Sequence, residues 1–164
     1  MIQLTIGQKA PAFTGKDQNG KAISLKDYLG KKVVIYFYPQ DDTPTCTVQA
    51  CNLRDNYVLL KKEGFTIIGI SPDAEAKHKK FETKYDLPFT LIADDKLKII
   101  GNYGVWGEKK LYGRAYMGLH RTTFLLDEKG KNYDSREFAE FLKIKFHFPV
   151  KNPNHNICNY QSSQ

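Results

Sequence analysis

The sequence predicts a single α/β domain built on a central sheet, and three observations carry that prediction. Three apolar runs, KKVVIYFYP (31–39), FTIIGI (65–70) and FTLIAD (89–94), are rich in β-branched and aromatic residues, as expected of strands buried on both faces. Helical periodicity fills the intervals between them, and strands alternating with helices imply parallel βαβ crossovers. At 164 residues, with 41% apolar and 13% aromatic content, the chain suits one domain with an ordinary core.

The elements follow in chain order. Turn signals at Asn19-Gly20 and Gly30, with Phe13 and Ala22–Leu25 between them, predict a small hairpin ahead of the core. The first buried strand ends at Pro39. From about Thr45 to Lys62, the positions Val48, Cys51, Leu53, Tyr57, Leu59 and Leu60 predict one helix of several turns, ending near Gly64. Ser71-Pro72-Asp73 opens a second helix, which closes before Leu87-Pro88. Residues 96–103 form a short helix stopped by Gly104, and a Gly-rich connection carrying Trp106 follows. RTTFLLDEKGK (121–131) reads as a strand entering a Glu128-Lys129-Gly130 turn. Beyond it, Asp134 and Glu137 resemble a capping box for a helix through Phe138, Phe141, Leu142 and Phe146. The domain is therefore expected over 1–148, with a flexible tail over 149–164.

Composition narrows the function classes. No stretch approaches the roughly 20 apolar residues of a membrane span, and MIQLTIGQKA lacks the features of a signal peptide, so a soluble, cytoplasmic protein is expected. The net charge of +7 raises nucleic-acid binding. The lysines are nevertheless scattered as short groups (Lys31-Lys32, Lys61-Lys62, Lys79-Lys80, Lys109-Lys110) with acidic neighbours, as solvated faces are, and no nucleic-acid partner is expected. Three cysteines are too few for a secreted disulfide framework and point to reactive or metal-binding thiols. His78, His120, His147 and His155 show no metal-ligand spacing with a cysteine pair, so no metal is expected.

The chemistry concentrates in PQDDTPTCTVQAC (39–51). Cys46 lies just past a strand, at the expected start of a helix, where unpaired amide N–H groups and the positive end of the helix dipole favour a thiolate. Thr43 is placed to aim its hydroxyl at that sulfur or at a bound oxygen, or to cap the helix, while Pro39 and Pro44 stiffen the loop. Cys51 follows at i+5. On an intact helix two such Cα atoms lie roughly 8.6 Å apart and point away from one another by about 140°, beyond the ~7 Å reach of a disulfide. A Cys46–Cys51 bond therefore requires the first helical turns to unwind.

The segment VVIYFYPQDDTPTCTVQACNLRD carries Pro-x-x-x-Thr-x-x-Cys as Pro39, Thr43 and Cys46, and it resembles the active-site signature of the peroxiredoxins. The second cysteine at i+5 resembles the bacterioferritin comigratory protein group, also called peroxiredoxin Q. Similarity continues through APAFTGKDQNGKAISLKDYLGKK, FTIIGISPD, KYDLPFTLIADD and YGVWGEKKLYGRAYMGLHRTTFLLDEKGK, about residues 5–131. The resemblance implies a thioredoxin-like fold, with a central mixed sheet flanked by helices. It implies a thiol peroxidase acting on hydrogen peroxide and alkyl hydroperoxides without cofactor. It makes Cys46 the peroxidatic cysteine, Cys51 the resolving cysteine, Pro39 and Thr43 loop residues, and Arg121 of GLHRTTF the catalytic arginine. It also implies a thioredoxin-like protein reductant; a monomer or weak homodimer is expected.

Two departures stand out. Thr45 occupies a position that is often glycine in the group, which narrows the pocket slightly. The sequence after the DEKGK-like turn does not read as the usual last strand and closing amphipathic helix, so an atypical C-terminal segment is expected. Cys158, in the tail, reads as a free thiol or as a second resolving candidate. Two other functions remain open on the residues alone: a thiol-disulfide reductase on the same fold, although the chain lacks Cys-x-x-Cys, and a non-catalytic basic binding module.

Overall fold

The central strand of the molecule is β3 (Lys32–Phe37), every residue of which after Lys32 is buried. In the computed structural model, which describes residues 4–133, its side chains alternate between two cores. Val33, Ile35 and Phe37 face one cluster with Ile68, Ile70, Ile92, Ile99, Tyr103 and Phe124. Val34, Tyr36 and Tyr38 face the other, with Cys46, Ala50, Leu53, Leu60, Phe81 and Leu91. A strand that buries both faces has no polar side to alternate with, which is why 33–38 reads as one continuous apolar run.

Around it the sheet is mixed. β4 (Phe65–Ser71) runs parallel to β3, with Tyr36 opposite Gly69, and β5 (Thr90–Ala93) runs parallel to β4. The N-terminal hairpin, β1 (Thr14–Asp17) and β2 (Ala22–Ser24), joins the sheet through antiparallel pairing of β1 with β5. Its turn is fixed by Gly20 at φ 75° and by the Asp17 carboxylate, which accepts the amides of Asn19 and Lys21. On the other side, β8 (Thr122–Leu126) pairs antiparallel with β3, and β9 (Asn132–Tyr133) with β8. The order is β2-β1-β5-β4-β3-β8-β9. One face is covered by α1 (Pro44–Asp55), α2 (Tyr57–Lys62) and α3 (Glu75–Tyr85), the other by α4 (Lys98–Asn102), a 3-10 turn at Leu25–Tyr28 and the N-terminal segment.

Two expectations need correction. The helix foreseen over 45–62 is two helices, broken at Asn56, whose backbone (φ −102°, ψ 6°) leaves the helical region and whose side-chain amide donates to the Asn52 carbonyl at 2.9 Å. The backbone bonds into and out of Asn56 persist, its N–H donating to the Asn52 carbonyl at 3.2 Å and its carbonyl accepting from Leu60 at 3.0 Å, so the break is one of backbone angle at this residue. The Gly-rich connection around Trp106 is in fact a hairpin, β6 (Trp106–Leu111) and β7 (Arg114–Leu119), closed by Tyr112 and Gly113 at φ 48° and 77°. Consecutive positive φ values match the turn that suits strand twist, but a tyrosine in the first position hides the signal. The helix expected after 133, the tail and the 148/149 boundary lie outside the described residues, as does Cys158. No helix among the described residues is long and apolar enough to cross a membrane.

The close approach of β4 to β3 depends on Gly69. A Cβ there would lie 2.7 Å from the Tyr36 ring carbon Cζ and hydroxyl and 2.8 Å from Leu91 Cδ2, all buried. Gly69→Ala is therefore expected to destabilise the fold by about 1–3 kcal/mol through overpacking. Urea denaturation measures this directly, and an unchanged midpoint would contradict the packing argument.

Candidate active site

The site forms where β3 ends. Tyr38 continues the sheet by donating its amide to the Ile70 carbonyl (3.1 Å), and the chain then leaves the sheet at half-buried Pro39. Thr43 has the extended backbone of a helix N-cap (φ −90°, ψ 153°), and Pro44 occupies the first helical position, where a missing N–H costs nothing. Cys46 thus falls in the first turn of α1, where amide N–H groups have no partner within the helix and point toward a bound anion. Its side chain is 1% exposed, yet its thiol is free, and no bond joins it to Cys51.

Cys51 lies farther along the same uninterrupted helix, is also buried, and is disulfide-bonded though not to Cys46, so any reaction between the two cysteines belongs to the reduced chain. The helix is intact through both cysteines, so the sequence argument about their separation applies to the folded chain. Thr43 differs from expectation. Its hydroxyl donates to the Gln40 carbonyl at 3.1 Å and makes no capping bond, so its single O–H tightens the loop instead of reaching the sulfur. Arg121 precedes β8, whose first residue, Thr122, pairs with Phe37 at the end of β3. That register brings Arg121 to the end of the sheet from which the 38–43 loop leaves. It is exposed and, among the described residues, makes no hydrogen bond or ion pair. The Arg54–Asp55 pair exists, with the Arg54 guanidinium also donating to the Tyr85 carbonyl (2.8 Å) and so tying α1 to the end of α3.

Sequence reading missed what lies beneath the loop. Asp41 is 2% exposed, and its carboxylate accepts the Tyr38 hydroxyl at 2.6 Å and faces His78 Nδ1 at 2.7 Å. His78 is completely buried on α3, and its Nε2 meets the Ile92 carbonyl of β5 at 3.1 Å. The Asp41 amide donates to the Asp73 carboxylate (2.6 Å), which also accepts Ser71 Oγ and Lys77 Nζ. Apart from Tyr38, the partners of Asp41 are more than thirty residues away, so no local spacing announces them. Tyr36 stacks on Tyr38 at 5.2 Å, and its buried hydroxyl has no hydrogen-bond partner. Burial, reinforced by the charges of Asp41 and Cys46, pushes its ionisation well above the usual tyrosine range. No group of residues among those described has the makings of a metal site.

The neighbouring aspartate faces outward. Asp42, at φ 58°, accepts Lys84 Nζ at 2.7 and 2.9 Å and the Tyr85 hydroxyl at 2.6 Å. The Lys84 hydrogen bonds, then that of Tyr85, hold its carboxyl below the ordinary aspartate range. A depressed folded-state value means this tie is present above the ordinary aspartate pKa and lost as pH falls through the depressed one. A carbon-13 carboxyl titration is expected to place Asp42 below a free aspartate, and Lys84→Met to move it back upward. Identical midpoints in the two proteins would show that the ammonium does not act on Asp42.

The AhpC/TSA family matches residues 6–132. Peroxiredoxin Bcp of Bacillus subtilis strain 168 is 46% identical over 144 residues, covering 88% of this chain and 88% of its own length. Peroxiredoxin Bcp of Escherichia coli K12 is 47% identical over 152 residues, covering 93% and 96%. Among solved structures, the Xanthomonas campestris bacterioferritin comigratory protein, described in terms of its alkyl peroxide reduction, superposes with a TM-score of 0.73 at 28% identity over 82% of this chain and 91% of its own. Peroxidoxin BcpB from Mycobacterium tuberculosis gives 0.71 at 31% identity over 80% and 84%. The mixed sheet with flanking helices is thus the thioredoxin-like fold of these proteins, and the chain belongs to the AhpC/TSA family, among its Bcp peroxiredoxins.

Proposed function

We propose that this thiol peroxidase reduces hydrogen peroxide and organic hydroperoxides through Cys46, with Cys51 as the resolving thiol and a thioredoxin-type dithiol as the reductant. The observation that carries the reading is a free, buried cysteine in the first turn of a helix, at the end of a sheet strand. In the reduced chain, the Cys46 thiolate attacks one peroxide oxygen. A sulfur–oxygen bond forms, the O–O bond breaks, and the departing oxygen takes a proton and leaves as water or alcohol. Charge on that oxygen is met by the first-turn amides and by the Arg121 guanidinium, which is free among the described residues to turn toward the loop. The Thr43 hydroxyl joins them by rotating away from the Gln40 carbonyl, and Pro39 holds the loop.

Cys51 then attacks the Cys46 sulfenic acid and releases water, and the external dithiol returns two electrons to the resulting disulfide. No metal or organic cofactor enters these steps. We place the enzyme in the cytoplasm, as a monomer or weak homodimer, acting on small peroxides and a protein reductant without nucleic-acid or membrane partners.

One equivalent of hydrogen peroxide added to the reduced chain is expected to remove two free thiols and to yield a Cys46–Cys51 disulfide on peptide mapping. Cys46→Ser should lose peroxide consumption, whereas Cys51→Ser should stop at a trappable sulfenic acid. Peroxide consumption by Cys46→Ser at the parent rate would reject the assignment, and a disulfide involving Cys158 would move the resolving role there. Oxidation should also accelerate amide exchange over residues 46–52, because two positions five apart on a helix cannot bond while it is wound. Unchanged protection in the oxidised chain would contradict the unwinding.

A further inference from the structure

The Asp41–His78 pair is the most deeply buried charged or polar pair that the described residues carry outside the reacting groups, and the peroxidase steps above make no use of it. Both side chains are fully sequestered. Both His78 nitrogens face oxygens, Asp41 Oδ2 at 2.7 Å and the Ile92 carbonyl at 3.1 Å. A carbonyl can only accept, so Nε2 donates to Ile92, and the short Nδ1–Oδ2 contact then holds one proton between them, whichever atom carries it. The second Asp41 oxygen takes the Tyr38 hydroxyl. A continuous line of hydrogen bonds therefore runs from β5 through α3 into the loop that starts at the end of β3.

The residues tied by this line flank the loop at both ends of its first half. Tyr38 is the last residue bonded to the sheet, and Asp41 is additionally held through its own amide by Asp73. Other titratable groups at this position are Lys77, paired with Asp73, and the buried phenol of Tyr36, stacked on Tyr38. Between Asp41 and Cys46 there are only four residues, two of them fixed as the helix cap and as a proline in the first turn. Placement of Asp41 thus limits where the start of α1, and with it the sulfur, can lie. An isolated buried carboxylate would be costly, so the arrangement persists only with its partner in place.

We propose that the buried Asp41–His78 pair, with Tyr38, is a positioning device that delivers Cys46 to peroxide, a role that rests on the peroxidase reading above. Neither His78 nor Asp41 touches the reacting atoms. They act by holding the loop, and a displacement of the nucleophile by about 1 Å is enough to cost up to ~100-fold in rate.

The test uses the full chain in a Cys51→Ser, Cys158→Ser background, so that Cys46 is the only thiol. Two rates are measured, sulfenic acid formation with hydrogen peroxide, trapped by dimedone, and alkylation by iodoacetamide. Alkylation needs an accessible thiolate but not the peroxide-binding geometry, so a merely structural role leaves the ratio of the two rates unchanged. His78→Leu is expected to lower the peroxide rate by about tenfold or more while alkylation changes by less than about threefold. His78→Asn, which keeps an amide near the Nδ1 position, should recover most of the loss. Tyr38→Phe, which deletes only the hydroxyl to Asp41, should show a smaller fall in the same ratio. Where near-ultraviolet circular dichroism shows that His78→Leu has not folded, the Tyr38→Phe ratio decides. A ratio equal to the parent's in the folded variants overturns the proposal, as does an equal fall in both rates. Should the parent itself fail to react with peroxide, the peroxidase reading falls first and this inference with it; a reactive parent with an unchanged ratio in the variants rejects the positioning role alone.

Discussion

Everything at the site depends on β3 being buried on both faces. Val34, Tyr36 and Tyr38 lie against the helices of one layer, while Val33, Ile35 and Phe37 fill the other, so the strand has no freedom to slide or twist without opening a core. The last residue of that strand fixes the origin of the loop, and the loop fixes the start of α1. A nucleophile in the first turn of a helix is useful only if the turn is held in one place, because a dipole and a set of amide donors act within a few ångströms. Two-sided burial of the preceding strand supplies that constancy.

The loop is then secured from α3 by two adjacent aspartates that face opposite ways. Asp41 turns inward to Tyr38 and His78, in a medium of low dielectric where a satisfied hydrogen bond is strong and an unsatisfied one is costly. Asp42 turns outward to Lys84 and Tyr85, where water screens the charge and the contribution of such a pair is small. The inner tie is therefore the stronger constraint on geometry, and the outer one an adjustable brace.

Much of this was legible in the sequence, and what was not follows a physical pattern. The buried strands, the hairpin at Asn19-Gly20 and a helix start near Thr45 are local: continuous apolar runs, a glycine in a left-handed turn and helical periodicity all act over a few residues. The β6–β7 hairpin was hidden because its turn uses Tyr112 where asparagine or glycine is usual, and a tyrosine in that conformation carries no recognisable turn signal. The break at Asn56 was hidden because its neighbours keep helical periodicity. At the site, Cys46 and the loop prolines were readable from order along the chain. The role of His78 was not, because its meaning comes from a carboxylate 37 residues earlier and a carbonyl on a different strand. The bond of the Thr43 hydroxyl to the Gln40 carbonyl was likewise not legible, because a backbone carbonyl three residues upstream leaves no mark in the sequence.

A helix that must present its first turn rigidly, yet unwind if its two cysteines are to meet, has opposing demands placed on it. Its stability comes mainly from packing, since Cys46, Ala50, Cys51 and Leu53 are its large or close-packed buried contacts and the Thr43 side chain adds no capping bond. An uncapped first turn gives up roughly 1 kcal/mol relative to a well-capped one, which lowers the cost of opening that end first. The break at Asn56 separates α1 from α2, so unwinding at the first end of α1 need not propagate into the helix that packs Leu60 against β4. Ties on Asp41 end before the helix begins, so they hold the loop without holding the turns that have to open. The same short stretch can therefore be stiff where the nucleophile is aimed and yielding where the partner thiol must be reached, because the constraints act on different residues.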